Sequence, residues 1–483
     1  MPYVEGHGTW PFGEEWLWEA MATSYLPLLD VLDRAPELTL SVTPVLGDQL
    51  EAPGVGERFL SFLREVRSAT HELDAREARA DGDEALAREI ERSALDYERA
   101  AERFEVLDGN LLGALMRHAA WTSSATHAVL PLLATDAGVR LQLQTGIAAH
   151  RRRAAAAHRD SSAASPPARS AASPPAPSAA AGDAWRGGLW LPECAYAPWL
   201  DPLLEEAGVR ATCVDLTDVF GMGAPNHLRP IAPPVGPLLV PIDRSVIELV
   251  WSPGGYPSSA PYRDSHKRST HHHKPYRIDG AVYDPDAALE QARADAADFV
   301  KRAGERASAG LCVCALDTEL LGHWWREGVA WLGFVAEECR TQGVELVHLD
   351  DALDSTQAAE PTAAGLPITT WGRHRDLSTW DSPAVADLAW SARDAELRAV
   401  AAGPDLPPDA ARALLALQAS DWAFVISEQQ AEPYGHARAT AHRAGFDAAL
   451  AGGDAAVRNL APKATPAPLL SPSLAGHAFA TPK

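Results

Sequence analysis

The chain has little of what directs a protein to nucleic acid or to a membrane. Basic residues are few: 42 Lys and Arg stand against 65 Asp and Glu, for a formal net charge of -23. Such a surface repels nucleic acid and anionic membranes, so we expect neither as a partner. No apolar run reaches the roughly 18 residues of a membrane-spanning helix, and no basic-plus-apolar leader opens the sequence. A neutral ligand is compatible with this charge.

Cysteine is also scarce, with five residues and no CxxC spacing. An odd set without metal-type spacing predicts reduced, buried thiols in a cytoplasmic protein, and it excludes a disulfide framework or a zinc site. The run His271–His273 does not change this prediction, because adjacent histidines point in different directions and have no acidic neighbour at ligand spacing. We therefore expect neither a metal nor a cofactor. The cysteines are Cys194, Cys213, Cys312, Cys314 and Cys339.

Two short apolar runs each end in carboxylates. The run 188–191 leads to Glu193, and the run 311–316 leads to Asp317 and Glu319. Short apolar runs bounded by turn residues are typical of buried parallel strands. Barrel-type α/β folds keep their chemistry at the C-terminal ends of such strands. We therefore expect these carboxylates to meet at one edge of a sheet.

Paired carboxylates with aromatic neighbours are what glycoside chemistry requires. One carboxylate acts as nucleophile and the other as general acid and base, about 5–5.5 Å apart in a retaining enzyme. Trp190 and Trp324 lie near the two runs and offer flat apolar faces to sugar rings. Glu319 competes with Asp317 for the acid/base role. Residues two apart on an extended segment face opposite sides, so only one can point at a substrate, and spacing does not say which.

The segments Trp190–Tyr196 and Asp317–Trp325 resemble the two catalytic motifs of glycoside hydrolase family 57, and the similarity is greatest to its 1,4-α-glucan branching enzymes. The resemblance extends from Pro2 to about Leu450. It implies that Glu193 is the nucleophile and Asp317 the proton donor and base.

The activity that this resemblance implies is transfer of an α-1,4-glucan, such as amylose or glycogen, to form α-1,6 branches. Two alternatives stay open. One is an α-glucan hydrolase of the same family, favoured by a short loop at 218–233 that lacks the Tyr carried there by branching enzymes. The other is a catalytically impaired glucan-binding protein. Neither the oligomeric state nor the transferred chain length is predicted.

The same resemblance implies further residues near the glucan. His127 lies in a segment similar to another family motif, although a purely structural histidine is equally expected there. The loop 242–258 departs from the family pattern, with Ile242 in place of an arginine and Arg244 close by. The residues expected to bind substrate are Trp251, Trp371, Trp380, Asp421 and Gln430.

The expected fold is α/β. The resemblance implies an incomplete (β/α)7 barrel over residues 1–355, followed by an all-helical C-terminal domain at 366–453. The residue pattern adds a helical insertion at about 56–118 and a strand-rich stretch at 238–251. Its Ala, Ser and Pro content predicts a disordered insertion at about 154–184. Residues 454–483 are expected to form a loose tail.

Finer expectations concern the two ends of the chain. Three helices are predicted near the C-terminus, at 384–402, 408–428 and 433–451. In the resembled family, a first strand ending in His-x-His precedes the segment that begins here at Met1. We therefore expect the natural start to lie upstream.

Overall fold

A five-stranded parallel sheet forms the centre of the computed structural model, which describes residues 13–163, 185–360, 365–430 and 433–453. The strands lie side by side in chain order, so each pair is joined by a crossover that carries helices. This arrangement confirms the predicted α/β class. The strands are β1 Leu40–Ser41, β2 Ala119–Ser123, β3 Gly188–Trp190, β4 Ala211–Val214 and β5 Leu238–Pro241.

The register of the sheet aligns the strand ends. Thr122 of β2 lies opposite Leu189, Leu189 lies opposite Thr212, and Thr212 lies opposite Leu239 of β5. Leu189, Thr212 and Leu239 are fully buried. Because neighbouring strands share one level, the residues that follow them emerge at the same edge of the sheet.

Two apolar segments, the predicted strand at 311–316 and the run at 344–349, have no strand pairing within the described residues. Residues 311–316 lie beside the end of β5, where the Asp243 amide donates to the Val313 carbonyl at 2.8 Å. Residues 344–349 lie near β1, where the Leu349 amide donates to Thr39 Oγ1 at 2.8 Å. They flank the two edges of the sheet. Within the described residues, five strands are therefore paired.

The predicted helical pattern at 56–118 is confirmed. Its 23-residue helix begins at the N-cap Asp83, whose side chain accepts from the Leu86 amide at 2.9 Å. This helix buries Ile90, Ala101 and Phe104 against its neighbours. The helical segments are Val55–Ser61, Phe62–Arg67 (a π-turn), Ser68–Ala80, Glu84–Val106 and Leu111–Met116.

Helix also occupies part of the stretch predicted to be disordered. The helix Asp136–Ala163 extends ten residues past Arg153, and Ala154 and Ala157 are buried in the core. Composition alone misjudged these residues, because alanine is a strong helix former and a neighbouring surface buries two of them. Residues 164–184 lie outside the described part of the chain, as do the predicted tail and residues 1–12.

The strand prediction for residues 244–251 is wrong, since they form a helix. Asp243 caps this helix by accepting from the Ser245 amide at 3.1 Å. Val246, Ile247 and Val250 are its buried residues, at spacings that suit one helical face. The remaining α-helices and π-turns before residue 360 are Glu14–Ala20, Met21–Tyr25 (a π-turn), Leu26–Arg34, Pro44–Leu50, Asp201–Glu206, Thr217–Phe220, Pro285–Ala307, Leu320–Trp324 (a π-turn), Gly328–Gln342 and Leu349–Ser355.

The C-terminal part is helical, as predicted, with one interruption. The single helix expected at 408–428 is broken at Gln418 and Ala419, where Ala419 has an extended backbone. The Ser420 amide then donates to the His127 carbonyl at 3.1 Å, which joins the new helix to the sheet edge. Here the helices are Ala386–Ala402, Pro408–Leu417, Ser420–Ser427 and Tyr434–Leu450. No helix in the described ranges is both long and apolar enough to span a bilayer.

Candidate active site

Glu193 lies in the turn Pro192–Cys194, directly after β3. Both Glu193 and Cys194 have left-handed backbones, with φ of 59° and 50°. His127, at the end of β2, also has a positive φ of 59°. Left-handed backbone costs a non-glycine residue about 1–3 kcal/mol and persists only where surrounding contacts impose it. Three such residues at one edge of the sheet mark a functional site.

Another segment holds this turn in place by hydrogen bonds to its backbone. Thr370 Oγ1 donates to the Glu193 carbonyl at 2.6 Å, and the Trp371 amide donates to the same oxygen at 3.2 Å. Tyr196 pairs with Thr369 through two backbone bonds. The strained turn is therefore fixed by residues nearly 180 positions further along the chain.

Two donors hold the Glu193 carboxylate. Ser420 Oγ donates to Oε1 at 2.9 Å, and the indole Nε1 of Trp371 donates to Oε2 at 3.3 Å. His127 Nδ1 lies 3.6 Å from Oε1 and 2.9 Å from Ser420 Oγ. Burial raises the pKa of Glu193 to about 7, while the bonds from Ser420 and Trp371 act to lower it.

Asp317 comes to the same site from the segment 311–316. Its side chain is exposed towards the cleft, yet protein surrounds it at longer range. Loss of hydration, followed by repulsion from the Glu193 carboxylate, raises the pKa of Asp317 to about 7. No side-chain or backbone donor contacts this carboxylate within the described residues. The structure thus brings together the two acids predicted from their strand ends, and it holds only one of them by hydrogen bonds.

Glu319 points to a different partner. Trp16 Nε1 donates to Glu319 Oε1 at 2.6 Å, and the Trp16 ring packs 5.1 Å from His323 and 5.6 Å from Trp324, centroid to centroid. The two acidic residues of this segment therefore have separate surroundings. This arrangement favours Asp317 as the acid that faces Glu193.

The three predicted tryptophans occupy different environments. Trp371 contacts Glu193 directly, and its ring lies 4.8 Å from that of Trp190. Trp380 is buried, and its ring would be 2.9 Å from a Cβ added to Gly372, so it packs under the loop that carries Trp371. Trp251 is 44% exposed at the C-terminal end of its helix.

The two predicted polar ligands also differ. Asp421 lies in the first turn of the helix Ser420–Ser427, and its charge acts on His127, Glu193 and Asp317. Gln430 is exposed after the end of this helix. Its backbone amide donates to the Val425 carbonyl at 3.0 Å. The charge of Asp421 thus acts on both carboxylates, whereas Gln430 contacts neither of them within the described residues.

Several residues at the site escaped sequence reasoning. The sequence predicts one continuous helix at 408–428, and this prediction misses the break that places Ser420 at the start of a new helix. Arg244 donates to Asp215 Oδ2 at 2.7 Å and to the Trp371 carbonyl at 3.4 Å, so it links the end of β4 to the Trp371 loop. The departure from the family pattern at Ile242 drew attention to Arg244, but not to these partners.

The histidine run has an acidic partner that its sequence neighbourhood does not show. Asp74 Oδ1 lies 2.6 Å from His271 Nδ1, and Glu77 is also close. This corrects the expectation that the run lacks an acid at ligand spacing. The Asp74–His271 hydrogen bond satisfies both groups directly. All five cysteines are free, as expected, with Cys194, Cys213 and Cys339 buried and Cys312 and Cys314 partly buried.

Family comparisons agree with the site. The model of glycosyl hydrolase family 57 matches residues 184–364, which include both carboxylates. The model of the C-terminal region of 1,4-alpha-glucan branching enzymes matches residues 405–455, which include Ser420 and Asp421. The two matches therefore cover both carboxylates and the start of the helix Ser420–Ser427, whereas Trp371 and His127 lie outside them.

Whole-chain comparisons extend this likeness. A 1,4-alpha-glucan branching enzyme of Thermococcus kodakarensis is 30% identical over 92% of this chain and 71% of its own length. A probable 1,4-alpha-glucan branching enzyme of Mycobacterium tuberculosis is 32% identical, with 92% of this chain and 88% of the relative covered. The crystal structure of a GH57-type branching enzyme from Pyrococcus horikoshii superposes with a TM-score of 0.79 at 29% identity, covering 92% of this chain and 87% of that one. The chain belongs to glycoside hydrolase family 57.

Proposed function

We propose that this protein is a 1,4-α-glucan branching enzyme that cuts an α-1,4 linkage with retention and transfers the freed segment to a 6-hydroxyl. The observation that carries this proposal is the meeting of two acids: Glu193 is held by two donors, and Asp317 accepts from none of the described residues. The names of the relatives support the same reaction, and the substrate would be a neutral glucan such as amylose or glycogen. A neutral polymer is unaffected by the negative charge of the protein.

The unequal hydrogen bonding favours Glu193 as the nucleophile. Both acids have a pKa of about 7, and Glu193 acts to raise the pKa of Asp317, so one shared proton is expected near neutrality. The hydroxyl of Ser420 and the indole of Trp371 stabilise the charged form of Glu193. The proton therefore resides on Asp317, where an acid is needed.

The reaction then follows in two displacements. The Glu193 carboxylate attacks the anomeric carbon, while Asp317 gives its proton to the departing 4-oxygen. This leaves a glycosyl ester on Glu193 and a carboxylate on Asp317. Asp317 next removes the proton from the 6-hydroxyl of an acceptor chain, and the resulting oxygen displaces Glu193 to form the α-1,6 bond.

Aromatic side chains beside Glu193 favour a sugar over water as the acceptor that attacks the glycosyl ester. Trp371 and Trp190 form an aromatic wall beside Glu193, and we assign Trp371 to the sugar bound there. Trp380 supports the Trp371 loop from below. We assign Asp421 and Gln430 to glucan binding. We assign Trp251, which is exposed on its helix, to sugars of the glucan that lie further from Glu193.

The C-terminal helices complete the site. Ser420 and Asp421 belong to the helical part that we take as the C-terminal domain, at 366–453, and they act on carboxylates of the sheet-containing part. A truncated chain without these helices would lose one donor to Glu193. We therefore propose that both parts are required for activity.

One specific feature favours hydrolysis as a second candidate. The loop 218–233 has no tyrosine, and it contains only a four-residue helix and a short 3-10 turn, Pro225–Leu228. A site without an aromatic cover over the glycosyl ester admits water more readily.

Incubation of the full chain with amylose separates the candidates. Branching creates α-1,6 linkages, seen as new anomeric proton signals and as chains released by a debranching enzyme, with few new reducing ends. Reducing ends without α-1,6 linkages would establish hydrolysis. Retention of the protein on amylose without either product would overturn the enzymatic proposal, and the Glu193→Gln variant is the matched control for contaminating activity.

A further inference from the structure

A second pocket is lined by neither Glu193 nor Asp317, although Gly322–Trp324 in its wall follow the Asp317 segment. It is formed where the N-terminal helices, the helical insertion and the loop 263–274 meet the segment Gly322–Trp324. Its charged lining residues come from positions far apart in the sequence: Glu19, Arg67, Asp96, Arg263, Lys274 and Arg326.

The arginines of this pocket each have a carboxylate partner. Arg67 Nε donates to Glu19 at 2.7 Å, and Arg326 donates to Asp96 at 2.6 Å. Arg263 donates to Glu89, behind the lining, at 2.9 Å. These pairs fix the guanidinium groups in place, so the wall is preorganised.

Lys274 differs from the arginines. Its Nζ donates to the His323 carbonyl at 3.2 Å, and no carboxylate of the described residues lies within ion-pair distance of it. Burial lowers the pKa of Lys274 to about 8, and the nearby cations Arg268, Arg263 and Arg67 lower it further, against the opposing effect of Glu19. The pocket therefore holds more positive charge than its carboxylates balance.

The paired arginines are less available to a ligand. The guanidinium of Arg263 bonds Glu89 and its Nε is enclosed by protein, so Arg263 forms part of the wall and contributes charge at longer range. An anion that accepts from the Lys274 ammonium group would balance its charge.

The charge of the lining and its exposed tryptophan indicate the chemical class of the ligand. Of the four cationic side chains in the lining, the three arginines are paired with Glu19, Asp96 and Glu89, so within the described residues the excess positive charge is that of Lys274. A phosphate monoester carries a charge of about -1.5 to -2 at neutral pH and offers three strong acceptor oxygens. Trp324, which is 39% exposed in the wall, adds an aromatic face of the kind that stacks on a sugar ring.

We propose that this pocket binds a phosphate group, either as inorganic phosphate or as part of a small sugar phosphate, through Lys274. Neither catalytic carboxylate lines this pocket, so the proposal does not depend on the function proposed above. Binding is measured without glucan, so the two proposals stand or fall independently.

Isothermal titration calorimetry on the full chain, at constant ionic strength, tests this proposal with inorganic phosphate, glucose 1-phosphate and glucose as separate ligands. We expect one phosphate site per chain. Lys274→Met should weaken phosphate binding about tenfold or more, because it removes a charge-assisted hydrogen bond. Lys274→Arg, which keeps the charge, should retain most of the affinity.

Lys267→Met is the matched control, since Lys267 is exposed on the same loop and contacts Gly280 and Tyr276. It should bind phosphate like the wild type. Tighter binding of glucose 1-phosphate than of phosphate would identify a sugar phosphate as the ligand, and equal binding would identify the free anion.

Three results would overturn the proposal: no binding of either phosphate compound, equal losses in both Lys→Met variants, or glucose binding as tightly as its phosphate. The last would make the pocket a neutral sugar site. Without phosphate, Lys274→Met should unfold at or above the wild-type temperature, because it removes a buried cation. Weak binding therefore cannot be confused with misfolding.

Discussion

The turn that carries Glu193 and the segment that carries Asp317 are built in opposite ways. The Glu193 turn is strained, follows a paired strand, and is fixed by bonds to its carbonyl and its carboxylate. Asp317 follows a segment without strand pairing in the described structure, and its carboxylate is exposed to the cleft without a donor. One acid is immobilised, while the other is left accessible.

This contrast matches the different tasks of the two acids. A nucleophile must be ionised and aimed, so hydrogen bonds to its charged form are useful. A group that gives and then takes a proton must exist in both forms, and strong donors would hold it in only one. The hydrogen bonding, more than the raised pKa values alone, separates the two roles.

The largest expected effect comes from Glu193→Gln. An amide of the same shape keeps contacts with the turn but cannot attack the sugar, so no product should form from amylose. Chromatographic analysis of the glucan measures this directly. Turnover near the wild-type rate would show that Glu193 is not the nucleophile.

The same variant makes a separate prediction about stability. The pKa of Glu193 is raised from 4.5 to about 7 on folding, so its protonated form favours the folded state and this stabilisation is lost as pH rises through about 7. Glu193→Gln should therefore unfold at a higher temperature than the wild type above that pH. The difference should vanish below 4.5, and thermal melts across this range check the sign.

Asp317→Asn should reduce turnover of amylose by about 10²–10⁴-fold, the usual contribution of a general acid. A maltosyl fluoride donor sharpens the comparison, because fluoride leaves without a proton. The variant should then release a rapid burst of fluoride and turn over slowly afterwards, since the second step still lacks its base. A burst given instead by Glu193→Gln would reverse the two roles.

Ser420→Ala tests how far the ionised form of Glu193 depends on the hydroxyl of Ser420. Removing a hydrogen bond to a charged group costs about 1.5–3 kcal/mol, so activity at neutral pH should fall roughly 10–100-fold. Loss of this donor raises the pKa of Glu193, and the acidic limb of the kcat/KM profile should move to higher pH. Ser427→Ala, on the same helix with its hydroxyl bonded to the Thr379 carbonyl, should leave the profile unchanged.

The residues that sequence reasoning recovered are those in contiguous motifs. Glu193 and Asp317 follow apolar runs that mark strand ends, and the family resemblance supplied Trp371 and Asp421. Ser420 was missed because its role depends on a helix break that apolar periodicity does not reveal. The sequence predicts a strand up to Trp251, because Val and Ile are typical of strands and also line the buried face of this amphipathic helix.

Tertiary packing explains the remaining differences. Trp380 shares a motif-like sequence context with Trp371, but the structure buries it beneath Gly372. The second pocket unites Arg67 with Lys274 and Arg326, which lie on three separate segments, and its charge could not be anticipated from any one of them. Local patterns predict elements and motifs, whereas contacts between distant segments depend on the complete fold.

The smallest effect is expected from Glu319→Gln, which distinguishes the two acids of the Asp317 segment. Glu319 accepts from the Trp16 indole at 2.6 Å, and an amide oxygen at the same place can still accept that bond. Activity on amylose should therefore change by no more than a few-fold, and the fluoride burst should stay absent, in contrast to Asp317→Asn. Glu319→Ala is the companion variant, since it removes the acceptor and frees Trp16 beside His323 and Trp324. A loss in Glu319→Ala that Glu319→Gln does not share would assign Glu319 to positioning Trp16, whereas equal and severe losses in both would make its charge part of the proton transfer.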